Sequence, residues 1–382
     1  MRNNVAFLIN SLAGGGAERV VSTLMNHFVD DYDCTLIVFE EDIDYDLDPR
    51  IKVVSLNVAN SSGLVNFLSL PFLAFKLSRV IKSLEITTLV SFLHRANYVN
   101  CLSRLFSKHR IVISERIASS SLYSDNSIAS RVSNFLVKSL YPKADLIVSV
   151  SHAIKADLER NYQVNAKQVV IYNPYDIEAI RSKSELAVPI EMDNTIVTVG
   201  SLSPRKGHLG LIKAFSKLAD KSAELVILGV GEQLESLKSL ANELGVSSRV
   251  RFVGFDSNPY KYLSKAKLFV LNSESEGFPN VLAEALVCNC AVVSTDCLSG
   301  PREILAPSTD FTSHLKGSIE HAKYGILVPV GDPDSLLQAI ESVYQDPHKL
   351  QSMRGLANEA IQTFTLEHIS SQYLDVIFEG KN

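Results

Sequence analysis

The sequence predicts an α/β protein built from two Rossmann-like parallel-sheet domains, and three observations predict it. Short β-rich apolar runs alternate with longer helix-period stretches almost throughout, the pattern of parallel strands covered by helices on both faces. These runs fall into two successive series. The 382 residues also suit two domains, at roughly 100–200 residues each.

In the first series the strand-like runs are Val5–Ile9, Thr35–Val38, Val53–Leu56, Thr88–Phe92, Arg110–Ser114, Leu146–Val150 and Val169–Tyr172. In the second they are Thr195–Val199, Glu224–Leu228, Val250–Val253, Leu268–Leu271, Ala291–Ser294 and Ile326–Val328. Between them lie helical patterns, such as Leu211, Ile212, Phe215, Leu218 and Ala219 at three- and four-residue spacing. The break falls between Asn173-Pro174 and Asp193, where Arg181–Asp193 is rich in charge and lacks a strong period, as a linker should. The expected domains are therefore 1–180 and 190–365. The final stretch, Leu366–Asn382, carries Ile369, Tyr373, Leu374 and Ile377 at helical spacing and by its own pattern could pack on either domain.

Composition narrows the function classes. With 46% hydrophobic and 21% charged residues the chain is neither disordered nor, with 18 Gly and 5 Cys, collagen-like or disulfide-built. A net charge of −5 provides no global field for nucleic acid. Asn60–Asp145 nevertheless holds 11 Lys/Arg against 4 Asp/Glu, a balance of +7 that leaves −12 on the remainder. The odd cysteine count suits a reducing cytosol. Cys288-Asn-Cys290 has no second ligand pair at zinc-like spacing, so no metal is expected. Met1-Arg2-Asn3-Asn4 runs into a strand broken by glycines too early for a signal peptide. The longest apolar stretch, Leu64–Phe75, is interrupted by Asn66, Ser69 and Pro71 and falls short of the ~20 residues that span a bilayer.

Three segments have chemistry to offer. Gly14-Gly15-Gly16 follows the first strand and opens a helix, which fits either close approach of an anion or a tight strand–helix turn. The dinucleotide fingerprint is not met, since Arg19 stands at its third glycine, and this disfavours an NAD-dependent dehydrogenase. Gly200-Ser201-Leu202-Ser203-Pro204-Arg205-Lys206-Gly207 places two cations beyond a strand, either to neutralise a diphosphate or as a solvated basic turn. Ser273 to Glu284 is the strongest segment. Glu276 precedes a helix whose first turn is expected to contain Pro279, Asn280 and Val281, and Glu284 lies farther inside it. The alternatives are helix-dipole stabilisation for Glu276 and a buried salt bridge for Glu284. The D-x-D triplets do not form a metal site, and Asp332 is expected to cap a helix.

Taken in order, SLAGGGAERV, YNPYDIEAI, VGSLSPRKGHLGLIKAF, VILGVGEQLESLKSLANELGVSSRVRFVGF, SESEGFPNVLAEAL with its E-x7-E spacing, STDCLSGPREIL and YGILVPVGDPDSL cover nearly the whole chain. Together they resemble glycosyltransferase family 4 of the GT-B enzymes. The resemblance implies two Rossmann-like domains facing a cleft, with a nucleotide-sugar donor on the C-terminal domain and an acceptor on the N-terminal one. It also implies a last helix (366–382) crossing back to the first domain, retention of anomeric configuration, and no bound metal or cofactor beyond the UDP-sugar co-substrate. By that likeness Glu284 holds the donor ribose and Glu276 the transferred sugar. Lys206, with Arg205, balances the diphosphate. Phe278, Asn280, Val281, Ser201 and Gly254 line the donor, and Gly15 and Gly16 approach it from the first domain. Two positions depart from the family: Ser201 stands where Arg is frequent, and Ile113-Ser114-Glu115-Arg116 stands where a His is frequent. Glu115, Arg116 or His94 is left for the sugar-side role, with His94 alternatively an ordinary loop histidine.

GGGAERV, FLHRANYVN, ISER and SGPREIL look like bacterial transferases that extend lipid-linked saccharides for O-antigen, capsule or N-glycan assembly. The implied partners are a UDP-sugar and a polyprenyl-diphosphate-linked saccharide at the inner face of the cytoplasmic membrane. The implied location is cytoplasmic and peripheral. A UDP-sugar 2-epimerase of similar architecture and a non-catalytic nucleotide-sugar-binding protein are the competing readings. The basic window gains a meaning here: Leu68, Phe72, Phe75 and Leu77 beside Lys76, Arg79 and Lys82 fit either an anionic leaflet or a core helix with a solvated basic face.

Overall fold

The computed structural model describes residues 3–58, 67–125, 127–192 and 194–379. Residues 60–66 of the basic window, Asp193 of the expected linker and residues 380–382 of the final stretch lie outside the described residues. The chain divides into two compact units, Met1–Pro174 with Leu366–Asn382, and Tyr175–Thr365.

The first unit contains β1 (Asn4–Ile9), β2 (Asp33–Val38), β3 (Lys52–Ser55), β4 (Thr88–Phe92), β5 (Arg110–Glu115), β6 (Leu146–Ser149) and β7 (Gln168–Val170), in the order β3-β2-β1-β4-β5-β6-β7. All the pairings are parallel. Its helices are α1 (Gly16–Phe28), α2 (Leu70–Ser83), α3 (His94–Ser103), α4 (Ser119–Leu122), α5 (Ile128–Leu140) and α6 (His152–Tyr162). The unbroken apolar run of β1 has a direct cause. Val5, Phe7 and Ile9 enter one core layer with α1, while Ala6 and Leu8 enter the other with α2 and α3. A two-residue period with both faces buried leaves no polar position.

In the second unit β8 (Thr195–Val199), β9 (Glu224–Leu228), β10 (Val250–Gly254), β11 (Leu268–Leu271), β12 (Ala291–Thr295), β13 (Glu320–Ala322) and β14 (Gly325–Val328) form a sheet in the order β10-β9-β8-β11-β12-β14-β13. Its helices are α7 (Ile177–Ser184), α8 (His208–Lys217), α9 (Leu234–Glu243), α10 (Tyr260–Leu263), α11 (Asn280–Val287), α12 (Pro301–Leu305), α13 (Pro333–Tyr344) and α14 (Pro347–Ala360). The apolar runs did not reveal β13, because this antiparallel edge strand reads Glu-His-Ala and is only partly buried. Nor is the segment read as a linker structureless. It contains the end of α7, a helix whose start is capped by the Asp176 side chain accepting from Ala179 N–H. Asp332 caps α13 in the same way.

The last helix, α15 (Leu366–Phe378), belongs to the first unit, where Ile369, Tyr373 and Ile377 are buried with Phe7, Phe28 and Phe92. In α2, Leu70, Leu73, Ala74, Leu77 and Ile81 are buried, whereas Phe72 and Phe75 are 63% and 48% exposed, as is Leu68 just before the helix at 81%. Leu77 is therefore a core residue and not part of the exposed apolar face, because it lies one turn from Leu73 on the side facing the sheet. No helix of the described residues is long and apolar enough to cross a membrane.

Candidate active site

At the carboxyl edge of the second sheet, the loops after β8, β9 and β10 are laced together by their backbones. Leu202 N–H donates to the Val230 carbonyl (2.9 Å), Gln233 N–H to Leu202 (3.0 Å) and Gly229 N–H to Gly254 (2.8 Å). The loop after β8 presents Arg205 and Lys206 on a single 3-10 turn, then reverses at Gly207, whose φ of +66° favours glycine. Asn272, at the end of β11, explains why no larger residue fits: a Cβ on Gly207 would lie 2.0 Å from its carbonyl oxygen. Its side chain also donates to the Gly207 carbonyl at 2.7 Å.

This lacing brings the first loop to the Ser273–Pro279 loop. Lys206 Nζ lies 2.5 Å from Glu276 Oε1, with Ser273 Oγ 2.6 Å from the same oxygen. Arg205 Nη1 is 4.0 Å from Glu276 Oε2 and donates to the Ser275 carbonyl at 3.2 Å. Arg205 thus reaches the carboxylate from beyond Pro204, while Ser201 is exposed with its hydroxyl 3.2 Å from that of Ser203. Glu276 is buried, held by its N–H to the Leu298 carbonyl and by Ser299 N–H on its own carbonyl.

Pro279 precedes α11 and does not lie in its first turn; the helix begins at Asn280. The Asn280 amide oxygen accepts from Tyr175 Oη at 2.9 Å. Phe278 is buried edge-on against Phe364, a prop for the loop, whereas Val281 is partly exposed. Glu284 is buried inside α11, with Tyr260 Oη of α10 3.4 Å from its Oε1.

In the first unit Gly15 and Gly16 are exposed, and the Gly15 carbonyl accepts from Tyr45 Oη at 2.7 Å. Glu115, one of the three candidates for the sugar-side role, is 1% exposed. Its carboxylate faces His94 Nε2 at 3.0 Å and Tyr141 Oη at 2.5 Å, because it is the last residue of a central strand under α3 and α5. His94 is not a loop residue; it opens α3, and its Nε2 also stands 3.1 Å from Ser119 Oγ. Arg116 donates to Asn173 Oδ1 and lies over the Phe92 ring. His94 and Glu115 therefore come together, and Arg116 stands apart from them.

Comparison with known proteins gives this arrangement its family. The model for glycosyl transferases group 1 matches residues 179–360, and that for glycosyltransferase family 4 matches residues 14–179. The N-acetylgalactosamine-N,N'-diacetylbacillosaminyl-diphospho-undecaprenol 4-alpha-N-acetylgalactosaminyltransferase of Campylobacter jejuni is 35% identical, over 94% of this chain and 95% of that protein. The chain belongs to the GT-B glycosyltransferases. A second Campylobacter jejuni relative, a GalNAc-alpha-(1->4)-GalNAc-alpha-(1->3)-diNAcBac-PP-undecaprenol alpha-1,4-N-acetyl-D-galactosaminyltransferase, is 25% identical over 99% of both chains. The crystal structure of Anabaena Alr3699/HepE in complex with UDP and glucose shares the fold at a TM-score of 0.77 and 20% identity, covering 99% of this chain and 100% of that one.

Sequence reasoning about the transferase missed Ser273, Tyr260, Tyr175 and His208 as partners of the site residues. Tyr260 sits on a one-turn helix 24 positions before Glu284, and no local pattern links the two. His208, the first residue of α8, is buried with Nε2 3.2 Å from the Ser201 carbonyl. Burial pushes its pKa down to about 4, with the Lys206 charge acting in the same direction and the Ser201 bond opposing. A carbonyl accepts only, so the neutral ring carries its proton on Nε2 and donates to the loop that presents Lys206.

Proposed function

We propose that this glycosyltransferase moves a hexose or N-acetylhexosamine from a UDP-sugar to a polyprenyl-diphosphate-linked saccharide, with retention at the anomeric carbon and without a resident metal. The observation that carries the reading is the Lys206–Glu276 pair at 2.5 Å, with Arg205 at 4.0 Å from the other carboxylate oxygen. Negative charge develops on the leaving diphosphate as the glycosidic bond breaks. Fixed cations in a partly dehydrated site are the residues' means of stabilising that charge. Glu276 positions Lys206 and presents its remaining acceptor capacity to sugar hydroxyls; Glu284, one turn into α11, is assigned to the ribose.

Support for the acceptor class comes from the two Campylobacter relatives, both named for diphospho-undecaprenol or PP-undecaprenol saccharides. Support for UDP comes from the fold neighbour crystallised with UDP and glucose. The same reading places the exposed Leu68 and, in α2, Phe72 and Phe75, beside exposed Arg79 and Lys82, at the surface of an anionic leaflet. Incubation with a panel of UDP-sugars and a lipid-linked saccharide, followed by mass spectrometry and NMR of the new linkage, tests it. The expected product is heavier by one hexose or N-acetylhexosamine residue with the donor's anomeric configuration. Nucleotide-sugar consumed with no glycosylated lipid, or an inverted linkage, overturns it.

A further inference from the structure

One guanidinium in the first unit has two buried nitrogens that no hydrogen-bond acceptor meets. Arg95 is the second residue of α3, just beyond β4 at the carboxyl edge of the sheet. Its guanidinium lies over the Phe39 ring, 5.2 Å from the centroid, and its Nε and Nη2 are buried without hydrogen-bond partners. Other arginines of this unit are engaged: Arg50 with Asp30 and Asp48, Arg104 with Asp145, and Arg110 with Glu379. Burial lowers the pKa of Arg95, with Glu40 as the opposing charge, yet among the described residues no carboxylate forms an ion pair with it. Donors buried and unmet in this way destabilise a fold. A bound anion offsets that cost, and the planar fork of Arg suits phosphate oxygens.

The surroundings of Arg95 narrow the class of anion. Phe39, which carries the guanidinium, packs in the same core layer as Leu70, Leu73 and Leu77 of α2. The outer side of α2 shows Phe72 and Phe75 to solvent. Asn10, whose carbonyl accepts from Phe39 N–H (2.9 Å) and Glu40 N–H (3.2 Å), has a side-chain oxygen likewise buried and unpartnered, able to accept from a hydroxyl. A cation, an unfilled acceptor and a neighbouring apolar helix fit an amphiphile whose acidic head bears a sugar. We infer that Arg95 binds the diphosphate joining saccharide to polyprenyl chain in the acceptor, an inference that rests on the acceptor class proposed above.

The test uses the full chain and farnesyl diphosphate as a short polyprenyl diphosphate, with binding followed by isothermal titration for the unaltered protein, Arg95→Gln and Arg95→Lys. Arg95→Gln is expected to weaken binding about tenfold or more, the usual scale for losing a charge-assisted phosphate contact, with Arg95→Lys intermediate. UDP binding should be unchanged. The thermal midpoint of Arg95→Gln should be unchanged or higher, since an unpaired buried charge has been removed. Equal binding of farnesyl diphosphate by all three proteins overturns the inference, as does a lowered midpoint with UDP binding lost. Sedimentation with phosphatidylglycerol vesicles separates the two sources of phosphate. A loss on vesicles as large as that on farnesyl diphosphate assigns Arg95 to lipid headgroups and overturns the acceptor assignment. In transfer assays an unchanged KM for the lipid-linked saccharide in Arg95→Gln sinks this inference alone. Arg95-dependent farnesyl diphosphate binding without any transfer by the unaltered protein sinks the acceptor reading and leaves the anion site standing.

Discussion

Lys206 and Glu276 stand 70 positions apart in the chain and 2.5 Å apart in space, on the loops that follow β8 and β11. Both side chains are largely out of water, 15% and 8% exposed, so removing either partner leaves the other as an uncompensated charge. Lys206→Ala and Glu276→Gln are each expected to lower kcat by about 10²–10³, the scale of losing one preorganised electrostatic group. The double variant should be little worse than either single one, because the two act as a unit. Steady-state kinetics with UDP-sugar measure this; full additivity of the two losses would show that they act separately.

On the proposed reading the buried Glu284 carboxylate binds the donor ribose and takes no part in bond breaking. Glu284→Ala should raise the donor KM by about tenfold or more and leave kcat within a few-fold, the signature of a lost ground-state contact. Tyr260→Phe removes the hydroxyl 3.4 Å from Glu284 Oε1 and should raise the same KM by a smaller factor, about two- to fivefold. A fall in kcat with KM unmoved would place Glu284 at the reacting centre.

Two histidines, His208 buried and His109 partly buried, make the fold sensitive to mild acid. His109 Nε2 lies 3.0 Å from Asn100 Oδ1 and His208 Nε2 3.2 Å from the Ser201 carbonyl. Burial brings each pKa down to about 4 from 6.5. The unfolded chain therefore binds more protons than the native one between pH 6.5 and 4, and stability falls as pH drops through that window. Each group accounts for on the order of 3 kcal/mol across it. Denaturant midpoints measured from pH 7 to pH 4 should fall, and His109→Gln and His208→Gln should each flatten the slope. A slope unchanged from that of the unaltered protein in either variant would contradict the assignment.

The parts legible in the sequence are those fixed by local pattern. β1 and β5 read as strands because both faces are buried, and Asp332 as a cap because its partners are two and three residues away. The edge strand β13 was illegible because Glu320 and His321 face partners no short pattern reveals; Glu320 accepts from Arg302 Nη2 at 2.9 Å. At the site, the residue types of Arg205, Lys206, Glu276 and Glu284 stood out. Their pairing depended on contacts made across the sheet edge. The burial of Glu115 was illegible for the same reason: nothing near it in the sequence shows that His94 and Tyr141 close over this strand-end carboxylate.

The C-terminal helix is a structural member of the first unit. Tyr373 is fully buried between Phe7 and Phe92, with ring centroids at 6.4 and 6.2 Å. Tyr373→Ala should destabilise that unit by about 3–5 kcal/mol, as large-to-small changes of buried aromatics do. Chemical denaturation read by fluorescence checks this, and a loss under about 1 kcal/mol would show that α15 is dispensable to the core.

The proposed membrane attachment through α2 separates into an apolar and an electrostatic part. Phe72 and Phe75 are exposed, and their replacement by Ser leaves the buried Leu73 and Leu77 untouched. Arg79 and Lys82 are exposed cations, whereas Lys76 donates to the Leu56 carbonyl and helps hold α2 to the sheet. Charge reversal therefore belongs at Arg79 and Lys82. Phe72→Ser with Phe75→Ser should weaken partition onto vesicles of any composition by about tenfold or more, since apolar area inserts regardless of headgroup charge. Arg79→Glu with Lys82→Glu should weaken it on anionic vesicles alone, at about 1 kcal/mol for each cation removed, and added salt should abolish the difference. Sedimentation at two lipid charges and two salt concentrations separates the terms. Partition indifferent to all four substitutions would remove α2 from the membrane surface, because these are the groups it has free to touch one.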